Sequence, residues 1–216
     1  MNKKFIIIIL LLSIIFLRCN TKSNNDNKVE TVNQSIEDDV LETKTEKKDA
    51  NVIKQVKAGD IDLKLRKVLG NRIEMLIPSS FVLMPKEMLD NKYPMKQHRP
   101  NEVYTNDNGT INVALNHTAN NAAMSELPKY KQLFEKQFSS PSIKFISSEI
   151  KKIDNMDYIV MDFITPAIDN TSIYNLLFIT SLDNRLLMGT FNCTIDYLNK
   201  WQKKGKKIVN SVKILK

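Results

Sequence analysis

Four strand-like segments follow one another in the second half of the chain, and they constrain the fold more than any other feature. They cover Lys144–Ile153, Asp157–Thr165, Ser172–Ser181 and Arg185–Asn192. The connections are the pair Asp154-Asn155, the loop Pro166–Asn170 and the pair Asp183-Asn184. Asp and Asn favour tight turns, whereas a crossover between parallel strands needs about a dozen residues or more. The sequence therefore predicts that these strands form an antiparallel meander.

Shorter strand signals precede the meander. Ile61–Arg66 alternates apolar and charged residues, which is the period of a half-buried strand, and Arg72–Ile77 is a second candidate. Asp107-Asn108-Gly109 is a strong hairpin signal between the predicted strands Glu102–Asn106 and Thr110–Thr118. Together with the meander, these segments give eight strand candidates, and a mostly antiparallel set of about seven strands is expected.

Helices are predicted at two main places, with a shorter helix or turn beginning at Pro85. Ser125 has the residue type of an N-cap, and the apolar residues that follow it recur on one helical face. A final helix carries Trp201 and Ile208 on its apolar face and can be capped by Asp196 or Thr194. Helices at two places in a mostly antiparallel set of strands indicate an α+β sandwich. We expect it to form a single domain over residues 59–216.

The N-terminus has the pattern of an export signal. Phe5–Leu17 is apolar except for Ser13 and follows two lysines, and this run is shorter than the ~20 residues of a spanning helix. Cys19 follows at once, with Leu17 two positions before it, and this resembles the lipobox of bacterial lipoproteins. The resemblance implies a signal peptide over 1–18 and a lipid on Cys19. Arg18 departs from the small residue usual at that position, and a signal anchor with an incidental cysteine is the alternative.

Residues 19–58 separate this signal from the domain. The segment contains no aromatic residue and only scattered aliphatic ones, so it cannot bury enough apolar surface to fold, and a disordered tether is predicted. A weak helix over part of 37–56 is the alternative.

The net charge of +8 divides into +3 before Cys19, −1 in the tether and +6 in the domain. An exported chain of this kind is not expected to bind nucleic acid.

No enzymatic constellation is evident. The two histidines, His98 and His117, have no partner at metal-ligand spacing, and the chain contains neither an HExxH nor a GxSxG motif. We therefore predict no catalytic residue, no metal site and no cofactor. Cys193 has no neighbouring cation within three residues and is interpreted as a buried core thiol.

Two surfaces are candidates for binding. The final helix carries lysines at spacings of 3, 1 and 3, which place them on one stripe suited to anionic headgroups or to an acidic partner; they are Lys200, Lys203, Lys204 and Lys207. A solvated helix face is the alternative.

The loop near residues 91–104 combines aromatic residues, a cation and prolines, and Tyr93, Arg99 and Tyr104 are predicted to form a binding rim. Tyrosines packed beneath a crossover loop are the alternative.

Several of these segments resemble PsbP-like domains. The matching stretches are Met75–Phe81, Met84–Glu87 with Tyr93, Val103–Val113, and the closing Trp201 helix with Asn210–Ile214. The resemblance covers about residues 70–216. It implies an α/β/α sandwich around a central antiparallel sheet of about six to seven strands, and an accessory or scaffold role. It brings no shared catalytic residues.

The expected protein is thus a membrane-tethered bacterial lipoprotein with a non-enzymatic PsbP-like binding or accessory domain in the cell envelope. Its partners would be the membrane, through the lipid anchor, and another envelope protein. The alternative is an envelope hydrolase or a small-ligand carrier with a pocket between sheet and helices. A deep pocket joining carboxylates and His117 would favour that alternative, whereas a shallow surface with a basic rim would favour the binding module.

Overall fold

The computed structural model of the protein describes residues 61–167 and 170–215. The predicted signal peptide (1–18), the lipid-attachment residue Cys19 and the tether (19–58) lie outside these residues and stay predictions. None of the helices in the described part of the chain is long and apolar enough to cross a bilayer.

Ten strands and three α-helices are found within the described residues. The strands are β1 (Leu63–Val68), β2 (Ile73–Pro78), β3 (Val82–Leu83), β4 (Glu102–Thr105), β5 (Ile111–Asn121), β6 (Lys144–Ile153), β7 (Met156–Pro166), β8 (Ser172–Leu182), β9 (Arg185–Thr194) and β10 (Lys213–Ile214). The helices are α1 (Lys86–Lys92), α2 (Leu127–Gln137) and α3 (Leu198–Asn210). Short 3-10 turns occupy Lys96–His98, Met124–Glu126 and Ile195–Tyr197.

The main sheet has seven strands in the order β3-β4-β5-β9-β8-β7-β6, all antiparallel to their neighbours. The predicted meander is confirmed as β6 to β9. Its two tight turns place both central residues at positive φ, 45° and 64° at Asp154 and Asn155 and 51° and 55° at Asp183 and Asn184. That geometry matches the right-handed twist of the strands, and Asp and Asn tolerate it better than most residues. The predicted α+β fold with a central antiparallel sheet is therefore confirmed.

The first two strands do not join that sheet. β1 and β2 pair with each other, and β10 pairs with the other side of β2, which gives a separate three-stranded sheet. β2 alternates buried and half-buried residues, with Ile73, Met75 and Ile77 fully buried. The small sheet therefore has one apolar face to cover, and it packs beside α3 on the main sheet.

Each face of the main sheet is covered by a different set of elements. One face, together with α3 and the small sheet, forms the largest hydrophobic cluster, which includes Trp201, Phe178 and Phe191. On the opposite face, Phe134 of α2 and Phe138, the residue that follows the helix, pack on the sheet, and the rings of Phe138 and Phe163 on β7 are stacked at 4.5 Å. The loop from β3 through α1 covers the rest of that face with a smaller apolar cluster.

A row of buried polar side chains crosses the sheet on the face opposite α3. Thr105 donates to Asn112 at 2.7 Å, and Asn112 donates to Asn192 on the next strand at 3.0 Å. Farther along, Asn175 donates to Thr165 at 3.1 Å. Buried polar groups are costly unless they are paired, so this row fixes the relative register of the strands that it joins.

Candidate functional site

The predicted lysine stripe lies on the outer face of α3. Trp201, Ile208 and Val209 are buried toward the sheet, whereas Lys200, Lys203 and Lys207 are exposed. Lys204 is half-buried and Lys206 points away from the stripe toward the sheet edge, where its Nζ lies 3.8 Å from Asp162. The amphipathic pattern that predicted the helix also orients it, because burying the tryptophan side leaves the lysines in water.

Three of these lysines are available to an external anion. Within the described residues, none of the ion pairs involves Lys200, Lys203 or Lys207. The first turn of α3 also lacks an acidic side chain. The result is a cationic surface, here called the α3 lysine face, formed by Lys200, Lys203 and Lys207.

A small cleft separates the end of α3 from the β6 edge of the sheet. It is lined by Ser147, Glu149, Lys151, Val160, Asp162, Leu176, Lys206, Val209 and Asn210. Its volume is about 60 Å³, which is room for a few water molecules, whereas pockets for drug-sized ligands reach roughly 300–1,000 Å³.

The centre of the cleft is a buried carboxylate, Asp162, which is only 2% exposed. Ser147 Oγ donates to its Oδ1 at 2.5 Å, and Tyr174 donates its hydroxyl to Oδ2 at 3.2 Å. Burial, and after it the charge of Asp162, raises the pKa of Tyr174, so the phenol stays protonated as a donor. The two hydroxyl groups thus give each carboxylate oxygen a protein partner, and the Lys206 ammonium group lies 3.8 Å from Oδ2 as a counter-charge.

His117 belongs to a different part of the molecule. Arg72 Nη1 and Arg185 Nη2 lie 2.9 and 3.2 Å from its Nδ1, and its Nε2 lies 2.9 Å from the Leu182 carbonyl oxygen. The arrangement requires that Nε2 carry the proton and donate it to the carbonyl, while Nδ1 accepts from the guanidinium groups. Burial lowers the pKa of His117, and the charges of Arg185 and Arg72 add to this effect against the opposing Leu182 hydrogen bond.

The histidine and the buried carboxylate are not brought together. His117 lies on β5, and β9 and β8 separate that strand from the β7 residue Asp162. Arg72 is also paired with Asp183, so the histidine cluster is a set of contacts between the two sheets. Among the described residues, no group of three His, Cys, Asp or Glu side chains could hold a metal ion.

The predicted rim around residues 93–104 requires a correction at Tyr93. Its side chain is 4% exposed and packs in the cluster beneath the loop, because the apolar ring covers the sheet face there. Burial also raises the pKa of its hydroxyl. Arg99 is largely enclosed as well, with its Nε donating to the Tyr93 carbonyl at 2.5 Å and its Nη1 2.5 Å from Asp90.

Tyr104, like Arg99, is half-buried, and its ring packs against the largest hydrophobic cluster. Its hydroxyl donates to Glu102 at 3.2 Å, and the guanidinium carbon of Arg66 lies 5.8 Å from the ring centroid. Its strand neighbour Leu83 is 59% exposed. The predicted rim therefore keeps two half-buried residues, Arg99 and Tyr104, and binding there stays a prediction.

Sequence reasoning missed the cleft around Asp162. The available signal was one acidic residue inside the otherwise apolar run Tyr158–Ile164, which a buried strand tolerates only when the charge is paired. Its partners could not be found from the sequence, because Ser147, Tyr174 and Lys206 come from three other elements.

Of the comparisons with known proteins, the one with solved structures informs the fold. No family model and no curated protein sequence matches the chain. Among solved structures, the chain is similar to the cyanobacterial PsbP of Synechocystis, with a TM-score of 0.51 and 13% identity over 74% of this chain and 96% of that one.

Two other similar structures are LpqN, which is involved in cell envelope biogenesis of Mycobacterium tuberculosis, and the Ran-binding protein Mog1p of Saccharomyces cerevisiae. For LpqN the TM-score is 0.47, with 8% identity over 67% of this chain and 83% of that one. For Mog1p it is 0.41, with 10% identity over 72% and 96%. The similarity to the Synechocystis protein shows a PsbP-like fold for the described domain, and an identity of 13% concerns the fold alone.

Proposed function

We propose that this PsbP-like domain is the non-enzymatic binding or accessory module of a lipid-anchored bacterial envelope protein, and that it binds an anionic surface through the α3 lysine face. The observation that carries the proposal is the exposure of Lys200, Lys203 and Lys207 without acidic partners among the described residues. The membrane that holds the anchor is the nearest such surface, and an acidic envelope protein is the second candidate partner.

The anchor rests on the sequence around Cys19. Two acyl chains on one cysteine suffice for stable attachment, since each buried CH₂ contributes about 0.8 kcal/mol and a single chain is marginal. A tether of some 40 residues, from 19 to 58, gives a root-mean-square reach of roughly 35 Å if it behaves as a flexible coil. The domain can then meet the headgroups of its own membrane or a neighbouring protein.

The cleft argues against the hydrolase or carrier alternative. At about 60 Å³ it is too small for an organic substrate, and hydroxyl groups already occupy both oxygens of its buried carboxylate. His117 lies elsewhere on the sheet and is held by two arginines and a carbonyl group. A general acid–base pair needs its members within hydrogen-bonding reach of one reacting group, and this arrangement separates them.

The anchor is tested by Cys19→Ser. We expect this variant to leave the membrane fraction and to lose labelling by a palmitate analogue, while the wild-type chain shows both. A variant that stays in the membrane fraction would refute lipid anchoring at this residue.

The lysine face is tested separately with residues 19–216 carrying Cys19→Ser, so that no lipid obscures the result. Replacing Lys200, Lys203 and Lys207 with Gln should weaken sedimentation with phosphatidylglycerol vesicles by tenfold or more, since a lysine near an anionic surface contributes about 1 kcal/mol. The matched control replaces Lys96, Lys129 and Lys136, which are exposed elsewhere on the domain.

The control removes the same net charge, so it should lose much less binding. Equal loss in both variants would mean that net charge acts without a defined face. Unchanged binding in the α3 variant would remove the membrane as the partner of this face. Crosslinking of the anchored chain in membranes, followed by pull-down, then tests the acidic protein partner.

A further inference from the structure

β6 is a long edge strand whose outer side is unpaired among the described residues. It forms one end of the seven-stranded sheet, and β7 is its pairing partner there. Its apolar side chains Phe145, Ile146 and Ile150 are 39%, 44% and 38% exposed. Unpaired N–H and C=O groups along such an edge are a template for another strand.

The turn after β6 determines which of its backbone groups face outward. Ile153 and Met156 flank the two-residue turn and form its closing hydrogen-bonded pair. Hydrogen-bonded and non-hydrogen-bonded pairs alternate along an antiparallel ladder. The backbone groups of Ser148, Ile150 and Lys152 therefore point away from β7, toward the free edge.

The charges on the same strand select a single partner register. Glu149 and Lys151 extend to one side of the sheet, with their side chains 58% and 31% exposed and the ion-pair distance between them 3.5 Å. If a second β6 runs antiparallel with Ile150 opposite Ile150, each Glu149 faces the Lys151 of the other copy. Ser148 and Lys152 of the two copies then meet as hydrogen-bonded pairs.

From this match we propose that two copies of this chain associate through β6, edge to edge, with Ile150 on the two-fold axis. The result is a continuous sheet across the dimer with an isologous interface. The paired Ile150 side chains bury apolar surface on the α2 side. The four charges of Glu149 and Lys151 form an alternating cluster on the α3 side.

Neighbouring registers are disfavoured by the same residues. Shifting the axis to Glu149 places two carboxylates opposite each other, and shifting it to Lys151 places two ammonium groups opposite each other. The register irregularity between Phe145 and Ser147 ends the regular edge, so the pairable stretch is 147–153. An edge that carries lysines and a bulge resists general aggregation while leaving this one self-complementary register.

Charge exchange in the full chain, purified from membranes in detergent, tests the register. We expect wild type to sediment as a dimer. Glu149→Lys and Lys151→Glu should each weaken self-association by about tenfold or more, because two attractive cross-strand pairs become repulsive. Mixing the two single variants should restore the dimer, since the introduced lysine of one copy then faces the introduced glutamate of the other. The double exchange in one chain should restore it too.

Restoration on mixing also shows that both variants fold. Wild type that sediments as a monomer overturns the proposal. So do single variants that stay dimeric, or a mixture of them that stays monomeric.

Disulfide trapping in cells tests the position of the axis. Two strands paired in this way hold the Ile150 Cα atoms about 5.5 Å apart, within the ~4.4–6.8 Å that a disulfide spans. Ile150→Cys should give a reducible dimer band that wild type lacks. Val82→Cys, 50% exposed on the opposite edge strand, is the control and should remain monomeric. Equal crosslinking at both positions, or none at Ile150→Cys, would overturn the β6 interface.

Discussion

The close approach of α3 to the main sheet at Gly205 predicts how the stability of the domain changes when this residue gains a side chain. A Cβ atom at this residue would lie 2.4 and 2.6 Å from Cδ1 and Cε1 of Phe191. Carbon atoms in contact normally sit about 3.5–4.0 Å apart, so Gly205→Ala requires a shift of about 1 Å. Phe191 cannot easily withdraw, because it is fully buried and its ring is stacked on Trp201 at 6.0 Å.

Two opposing effects determine the change in stability. Alanine in place of glycine favours an interior helical position by about 1 kcal/mol. Overpacking a core costs about 1–3 kcal/mol, and the enclosed ring places this case in the upper half of that range. We therefore expect Gly205→Ala to lower the free energy of unfolding by about 1–2 kcal/mol. For a domain of this size that corresponds to a Tm lower by roughly 3–6 °C.

Urea denaturation of residues 19–216 with Cys19→Ser, followed by circular dichroism, measures the effect. Asn199→Ala is the control, since it is an exposed site on the same helix and should leave stability unchanged or slightly raised. In a Phe191→Leu background the cost of Gly205→Ala should shrink, because the smaller side chain leaves room. Stabilisation by about 1 kcal/mol in the wild-type background would show that helix propensity acts alone and would refute the close packing.

Three further predictions concern single buried groups. The lowered pKa of His117 means that the unfolded chain binds a proton more readily, so stability should fall as pH drops below about 6.5, and His117→Gln should reduce this fall in denaturation series at pH 7 and 5. Burial raises the pKa of Cys193 to about 12, so iodoacetamide at pH 8 should label it only in urea, as read by peptide mass spectrometry. Asn112→Ala leaves Asn192 and Thr105 without their partner, and should lower the free energy of unfolding by about 2–4 kcal/mol in the same urea assay.

Each of these has an outcome that contradicts it. An identical pH dependence in wild type and His117→Gln would mean that the histidine does not contribute. Labelling of Cys193 at the rate of a free thiol would contradict its burial. A change below about 0.5 kcal/mol in Asn112→Ala, the size typical of a surface substitution, would show that the polar row does not hold the strands.

The local elements could be predicted closely because their signals are local. β6 has the bounds that were predicted, and the other meander strands differ by one or two residues at an end. Tight-turn residues and alternation act between neighbours in sequence, so they survive without tertiary information. The start of α2 was less accurate. Ser125 was expected as its cap, but a 3-10 turn covers 124–126 and the helix begins at Leu127.

The candidate site was predicted only in part. The α3 lysine face follows from helical spacing once the Trp201 side is buried, and the structure places those lysines in water as expected. Tyr93 is predicted to belong to a binding rim because its loop combines aromatic residues, cations and prolines, with tyrosines packed beneath the loop as the alternative. Its burial depends on the apolar cluster with Val103, Ala114 and Ile173, which come from distant strands.

By itself, the sequence determined the antiparallel meander, the amphipathic α3, the position of its lysines and the division of charge along the chain. All of these depend on residues within a few positions of one another. Only the tertiary structure decided that β1 and β2 leave the main sheet, that β5 pairs with β9, and that Asp162 meets partners from β6, β8 and α3. Those contacts join segments far apart in the chain, and they form because distant apolar faces must be buried together while each buried polar group finds a partner.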